Sequence, residues 1–252
     1  MLKVLDLFSG IGGFSLGLER TGGFETIAFC EIDKFCQKVL KKHWPDVPIY
    51  EDIKELDGKS IKADVITGGF PCQDISIAGN QAGIGGSRSG LWSELCRIIS
   101  EVRPQYAIVE NVTALLSGDR GRWFGRVLGD LAEIGYDTEW HCIPASAIGA
   151  PHRRDRIWII AYPRRKQWSL PLLSRHDVTE AKRRSTTVWR KNREFSQMAS
   201  VGYEIYLKRM DKSKSARVDD GIPDWIYRLK ACGNSVVPQI PELIGRAILN
   251  YD

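Results

Sequence analysis

The sequence contains no CxxC pair. Its six cysteines stand at positions 30, 36, 72, 96, 142 and 232, with Cys30 to Cys36 the shortest gap. That spacing speaks against a zinc ribbon or a dense disulfide framework. Most of the thiols read as reduced, small and largely buried apolar groups. No apolar run approaches the roughly 20 residues that cross a bilayer. The N-terminus, MLKVLDLFSG, enters structured-looking sequence with no leader-like segment before it. Internal repeats and low-complexity tracts are absent too. The expectation is a cytosolic protein with no metal and no membrane partner, and nothing calls for more than a monomer.

The 252 residues are 43% apolar and 27% charged, which suits one large domain, or one domain carrying a small insertion. Charge is unevenly spread. Between Arg164 and Arg217 there are 15 Lys or Arg against 5 Asp or Glu, while the whole chain carries only +5. A near-neutral body with one basic segment fits a polyanion partner at that segment. A merely solvated charged stretch has the same composition, so charge leaves both readings open.

Up to position 110, short apolar runs alternate with helical patterns. KVLDLF reads as a strand, Gly10–Gly13 as a tight turn, and Phe14–Arg20 as a helix packing through Phe14, Leu16, Gly17 and Leu18. TIAFCE is a second strand. Lys34–Lys42 is a helix with Phe35, Val39 and Leu40 on one face. DVITGGF and YAIVEN are buried strands with a helix over Leu91–Val102 between them. This order predicts a parallel α/β sheet, with ligands beyond the C-terminal strand ends. YDTEWHCI and RIWIIAY look like further strands. From Pro163 to about Gly221 periodicity is lost and basic residues accumulate, which reads as an inserted lobe. The division expected is a catalytic domain over 1–163, a basic lobe over 164–222, and a segment over 223–252 that returns to the first domain through a turn and a helix.

Three stretches carry chemistry. DLFSGIGG puts a glycine-rich turn, with Gly10 and Gly12, at a helix N-terminus where a ligand can approach the backbone. It does not match GxGxxG, because Ser15 stands three residues after Gly12. Glu31 ends the second strand about 20 residues on, where a carboxylate can accept from ribose hydroxyls. An adenosine-containing ligand is the better reading, and a plain structural turn its rival. In YAIVENV, Glu110 ends an apolar strand, where desolvation would raise its pKa. A salt-bridged strand-end carboxylate is the alternative. In HRRDRIWII, alternation puts Arg154 and Arg156 on one side and Asp155 on the other. Two adjacent guanidinium groups need an anion or a carbonyl-rich ligand, unless they pair with Asp155, Glu110 or surface carboxylates. The rigid Pro71 before Cys72, with glycines on both sides in GGFPCQDISIAG, is more than a packing thiol needs.

Together DLFSGIGGF, GGFPCQ, ENV, RRDRIWIIA and GNSVVP resemble the DNA cytosine-5 methyltransferase family, in that family's order and across nearly the whole chain outside the basic lobe. The resemblance implies a Rossmann-like sheet that binds S-adenosylmethionine, with a small inserted target-recognition lobe, acting on duplex DNA. It makes Cys72 the nucleophile at C6 of a flipped-out cytosine and Glu110 the proton donor to N3. It has Arg156 hold the base O2 and Arg154 steady the active-site loop or a phosphate. For the cofactor it implies Phe8 stacking on adenine, Glu31 on the ribose, Asp52 and Ile53 at the adenine edge and face, and Leu91 and Asn234 closing the site. Ile32 stands where many relatives have an aromatic, which would weaken that side of the pocket. The glycine- and serine-rich loop Asp74–Ser89 would close over DNA.

The short lobe offers phosphate binding more than base readout, so a short or loose target sequence is expected. Bacterial or phage origin, with restriction protection or host evasion, fits a chain without accessory domains. Two alternatives are a tRNA-directed member and an idle DNA binder. The first typically has a second proline before the cysteine, where Phe70 stands here. The second should have lost Cys72 or Glu110, and both are present.

Overall fold

The computed structural model describes residues 1–71, 90–150, 153–164, 177–182, 231 and 234–251. Cys72, the Asp74–Ser89 loop and most of the basic lobe lie outside the described residues. The first strand, β1 (Leu2–Leu7), turns through the glycines into α1 (Gly13–Glu19). Next come β2 (Phe24–Cys30) and α2 (Lys34–His43). Asp33 caps α2 by accepting from the backbone N–H of Phe35 and Cys36 at 2.9 and 3.1 Å. Lys41 and Lys42 sit in its last turn, where positive charge suits the carbonyl end. Then follow β3 (Ile49–Tyr50), β4 (Val65–Gly68), α3 (Gly90–Val102) and β5 (Tyr106–Val112). After β5 come a single turn, α4 (Ala114–Ser117), and α5 (Arg122–Glu133), neither of which the sequence reading anticipated. The strands β6 (Tyr136–Pro144) and β7 (Asp155–Pro163), then α6 (Gln239–Tyr251), complete the described elements.

One seven-stranded sheet runs in the order β3-β2-β1-β4-β5-β7-β6. The first five are parallel, as expected, but β7 runs antiparallel to both β5 and β6. The parallel order read up to position 110 holds, and the complete sheet is mixed. The reason is connection length. Ten residues separate β6 from β7, and a crossover between parallel strands needs a dozen or more. The chain order departs to opposite sides from β1 and β4, so the crevice of this sheet opens where Leu7 and Gly68 end side by side.

Two apolar clusters cover the two faces. Leu5, Leu7, Ile66, Ala107, Val109, Ile157 and Ile159 join α3 and α5 on one side. Val4, Val65, Tyr106, Ile108, Trp158 and Ile160 join α1 and α6 on the other. Period-2 alternation therefore sets Asp6, Thr67, Glu110 and Arg156 on the α1 and α6 side of their strands. The helical turn at 177–182 packs on that same cluster through Val178 and Ala181.

Leu16 does not pack inward as expected; it is an exposed residue on α1. At 3.6 residues per turn Phe14, Gly17 and Leu18 share the inner face and Leu16 turns away. On α2, Cys36 and Leu40 are the buried residues, with Phe35 and Val39 half-buried beside them. Among the described cysteines Cys30 and Cys36 are buried as read, whereas Cys142 is exposed.

The contact of α1 with α6 requires Gly17. A Cβ there would overlap the Pro238 carbonyl and come within 2.8 Å of the Pro241 Cβ. Gly17→Ala gains up to about 1 kcal/mol of helix propensity. It loses roughly 1–3 kcal/mol to overpacking against backbone that cannot yield. The net expectation is a lower urea midpoint for Gly17→Ala, with an unchanged denaturant slope.

Candidate active site

At the end of β1, Phe8 turns the chain with φ 52°, a left-handed conformation that costs a residue with a Cβ roughly 1–2 kcal/mol. Gly10 and Gly12 follow at φ 54° and 84°. The two glycines differ in purpose. A Cβ on Gly12 would sit 2.6 Å from the Trp44 ring, while nothing among the described residues lies within 4 Å of one on Gly10. Gly12 is thus required by packing, and Gly10 borders open space.

Glu31 lies against Gly10. Its carboxylate accepts from the Gly10 N–H at 2.7 Å on one oxygen and from the Asp33 N–H at 2.8 Å on the other. Two backbone donors fix the carboxylate while each oxygen keeps a lone pair for a hydroxyl. Beside it, the Ile32 side chain is 69% exposed. Phe8, Leu91 and Ile53 all belong to or pack on one cluster, with Ile53 buried in it. Asp52 lies near enough to Cys30 to help raise the pKa of that thiol, which burial, first of all, pushes up to about 12. The segment after Asn234 closes on the turn: a Cβ on Gly13 would come within 2.6 Å of the Val236 carbonyl oxygen. Asn234 itself is exposed.

Asp6, which the sequence reading passed over, lies beneath this turn with no exposure. It accepts from Ser15 Oγ at 2.8 Å and from Thr67 Oγ1 at 2.7 Å. Burial raises its pKa to about 7, against the lowering effect of those hydrogen bonds.

The second half of the site gathers at the end of β5. Glu110 is nearly buried, and Arg156 Nε lies 2.9 Å from its Oε1 without aiming an N–H along a hydrogen bond. Burial is the largest influence and raises the Glu110 pKa; Arg156 and then Arg154 lower it, and burial prevails. The Arg154 guanidinium is shifted down, by burial first and by Arg156 next. Both guanidinium groups thus lie near enough to act on Glu110, and they act on each other. Asp155 is exposed.

Glu110 also borders the strand that leads to Cys72. A Cβ on Gly69 would lie 3.4 Å from Glu110 Oε2. The neighbouring Asn111 donates from Nδ2 to the Phe70 carbonyl at 3.0 Å and accepts from the Val112 N–H at 2.8 Å. Phe70 in turn packs on Trp92 with ring centroids 5.2 Å apart. The backbone entering Pro71 is anchored on both sides. A carboxyl with a raised pKa, an underused oxygen and two cationic neighbours can donate a proton to an electron-rich ring atom.

The sequence model of the family described as C-5 cytosine-specific DNA methylase matches residues 2–221. The chain belongs to that family. Among related proteins, the type II methyltransferase M2.BsuMI of Bacillus subtilis is 40% identical over 164 residues, which is 64% of this chain and 42% of that protein. M.HhaI of Haemophilus parahaemolyticus is 35% identical over 162 residues, 64% of this chain and 49% of the relative. The chain thus spans less than half the length of these curated relatives. Among solved structures, a prophage-encoded E. coli protein, described as a putative DNA modification methyltransferase, superposes with TM-score 0.58 at 26% identity. That match covers 68% of this chain and 49% of the other. A DNMT2 mutant from Spodoptera frugiperda gives 0.57 at 23%, covering 68% and 52%, a likeness of fold. The Rossmann-like methyltransferase sheet read from the sequence is the fold observed. No described helix is long and apolar enough to cross a membrane.

The Asp6 shift fixes a sign for stability against pH. A carboxyl raised from 3.8 to about 7 on folding stabilises the protein below the lower value, and that contribution is lost as pH rises through 7. Its size is on the order of 4 kcal/mol. Unfolding free energy measured from pH 4 to 8 should fall across this window, and Asp6→Asn should flatten the fall. The hydroxyls of Ser15 and Thr67 can reverse to meet the new amide.

Proposed function

We propose that this chain transfers a methyl group from S-adenosylmethionine to C5 of a cytosine flipped out of duplex DNA. The observation that carries the reading is the buried Glu110 beside Arg156 and Arg154 and against Gly69, three residues before Cys72 in the sequence, in a member of the cytosine-5 methylase family. Cys72, as thiolate, attacks C6 and forms the carbon–sulfur bond. The electron pair displaced toward N3 meets a proton from Glu110, whose pKa burial raises. Arg156 holds the base O2, and Arg154 steadies the loop or a nearby phosphate. S-adenosylmethionine, when bound, supplies the electrophilic methyl that C5 of the activated ring receives. Loss of the C5 proton to a base such as water re-forms the C5–C6 double bond, breaks the carbon–sulfur bond and frees Cys72, and the N3 proton returns to Glu110.

The residues around the first turn fit the cofactor. Glu31, oriented by two backbone N–H groups, suits the ribose diol. Open space over Gly10 admits the ligand against the backbone. Phe8 and the exposed Ile32 offer apolar faces to the adenine, with Asp52 and Ile53 at its edge and face. Leu91 and Asn234 bound the far side. The basic segment within 164–222 supplies phosphate contacts in duplex DNA, which give affinity without sequence.

The test is transfer of labelled methyl from S-adenosylmethionine to unmethylated duplex DNA and, in parallel, to tRNA. DNA should be labelled, and Cys72→Ser should abolish the signal. Glu110→Gln keeps the shape but cannot cycle a proton, so kcat should fall about 10²–10⁴-fold. Labelling of tRNA alone would overturn the DNA reading. Bound cofactor with no labelling of either substrate would overturn the catalytic one.

A further inference from the structure

Arg97, on the outer side of α3, uses its guanidinium to hold a loop rather than to solvate a surface. Nη2 donates to the Ile53 carbonyl at 2.8 Å and Nη1 to the Leu56 carbonyl at 3.1 Å. Nε donates to Glu94 at 2.7 Å, and Nη1 reaches both oxygens of Glu101 at 3.0 Å. Glu101 extends the clamp by accepting from the Gly58 N–H at 3.0 Å. The approach is so close that a Cβ on Gly58 would lie 2.8 Å from a Glu101 oxygen. Residues 53–58 are thereby fastened to one helix at three backbone points.

The same helix carries two other contacts of the site. Leu91 packs on the cluster that contains Ile53, and Trp92 packs on Phe70, two residues before Cys72. The first turn of α3 thus supports both halves of the site, and Arg97, further along, ties it to the loop beginning at Asp52. Asp52 stands one peptide unit before the first clamped carbonyl and is tied to the same loop, its Oδ1 accepting from the Lys54 N–H at 2.9 Å and its carbonyl from the Glu55 N–H at 3.1 Å, so it moves with the clamped segment.

We infer that Arg97 is the positioning residue for the adenine-reading loop, setting the place of Asp52 and so the preference of the pocket for adenine. The inference rests on the cofactor reading given above. A planar five-donor fork is required, because two carbonyls and two carboxylates converge on one group. A lysine retains the charge beside Glu94 and Glu101 but lacks the fork.

Calorimetric binding of S-adenosylhomocysteine and of its inosine counterpart, which differs only at the adenine edge, tests this. Wild type should prefer the adenosyl ligand. Arg97→Met should weaken that ligand about tenfold and the inosyl ligand much less, so that the ratio collapses toward one. Arg97→Lys, which keeps the charge and protects the fold, should collapse it as well. In turnover, KM for S-adenosylmethionine should rise while kcat at saturation and KM for DNA hold. Parallel weakening of both ligands, or an unchanged ratio in Arg97→Lys, would assign Arg97 a purely structural role and overturn the inference. Failure of wild type to bind either ligand would overturn the cofactor reading, and the inference with it.

Discussion

The carboxyl group of Asp6 is the knot on which the crevice depends. Through Ser15 and Thr67 it joins the end of β1 to the first turn of α1 and to β4, the three elements that meet where the sheet changes direction. The backbone carbonyl of Asp6 accepts from Ser9 Oγ at 2.5 Å, which starts the turn. The left-handed Phe8 lies between those two anchors and is held there at some cost in backbone energy. The hydrogen bond between Gly10 and Glu31 spans the turn that Asp6 supports, and Ser9 holds the same turn to β2 through the Cys30 carbonyl at 3.3 Å.

Asp6 and Glu110 are both buried carboxyls with raised pKa values, yet their surroundings assign them different work. Neutral hydroxyls meet both oxygens of Asp6, and such donors can reverse, so its hydrogen bonds persist in either protonation state while burial favours the neutral one. Glu110 instead faces guanidinium groups, and among the described residues its Oε1 has no properly directed hydrogen bond. A buried acceptor left in that condition is costly unless something completes it. Desolvation alone cannot separate a structural carboxyl from a reactive one; the kind of donor around it does.

Much of this was readable from residue order. The strand–turn–helix units up to β5 follow from apolar periodicity and glycine placement, and Glu31, Glu110, Arg154 and Arg156 stand at strand ends that such patterns locate. Leu16 was misread because an apolar residue next to Gly17 and Leu18 looked like part of one stripe, whereas helical geometry turns it outward. Asp6 and Arg97 escaped for a different reason. The partners of Asp6 include Thr67, 61 residues away, and those of Arg97 include Ile53, 44 residues away. Local sequence even disguises Arg97, since Glu94 and Glu101 at helical spacing read as ordinary surface ion pairs. Cys72 is the converse case. Its sequence setting speaks plainly, while its position lies outside the described residues.

The reversal of β7 explains a feature of the sequence that a parallel sheet would leave odd. In a parallel α/β sheet, site residues follow their strands, as Phe8 follows β1, Glu31 follows β2 and Gly69 follows β4. Arg154 and Arg156 precede or begin theirs. Because β7 runs against β5, its start lies beside the end of β5, with Arg156 opposite Val112 and Trp158 opposite Glu110. An antiparallel strand thus delivers side chains to the crevice from its N-terminal end. Two residues apart on such a strand, both guanidinium groups fall on the face that Glu110 occupies, and burial of Trp158 and Ile160 on that face fixes the register. A slip of one residue would turn both arginines to the other face and leave Glu110 buried without a counter-charge. The apolar pattern of RIWIIAY is therefore what holds the charged end in place.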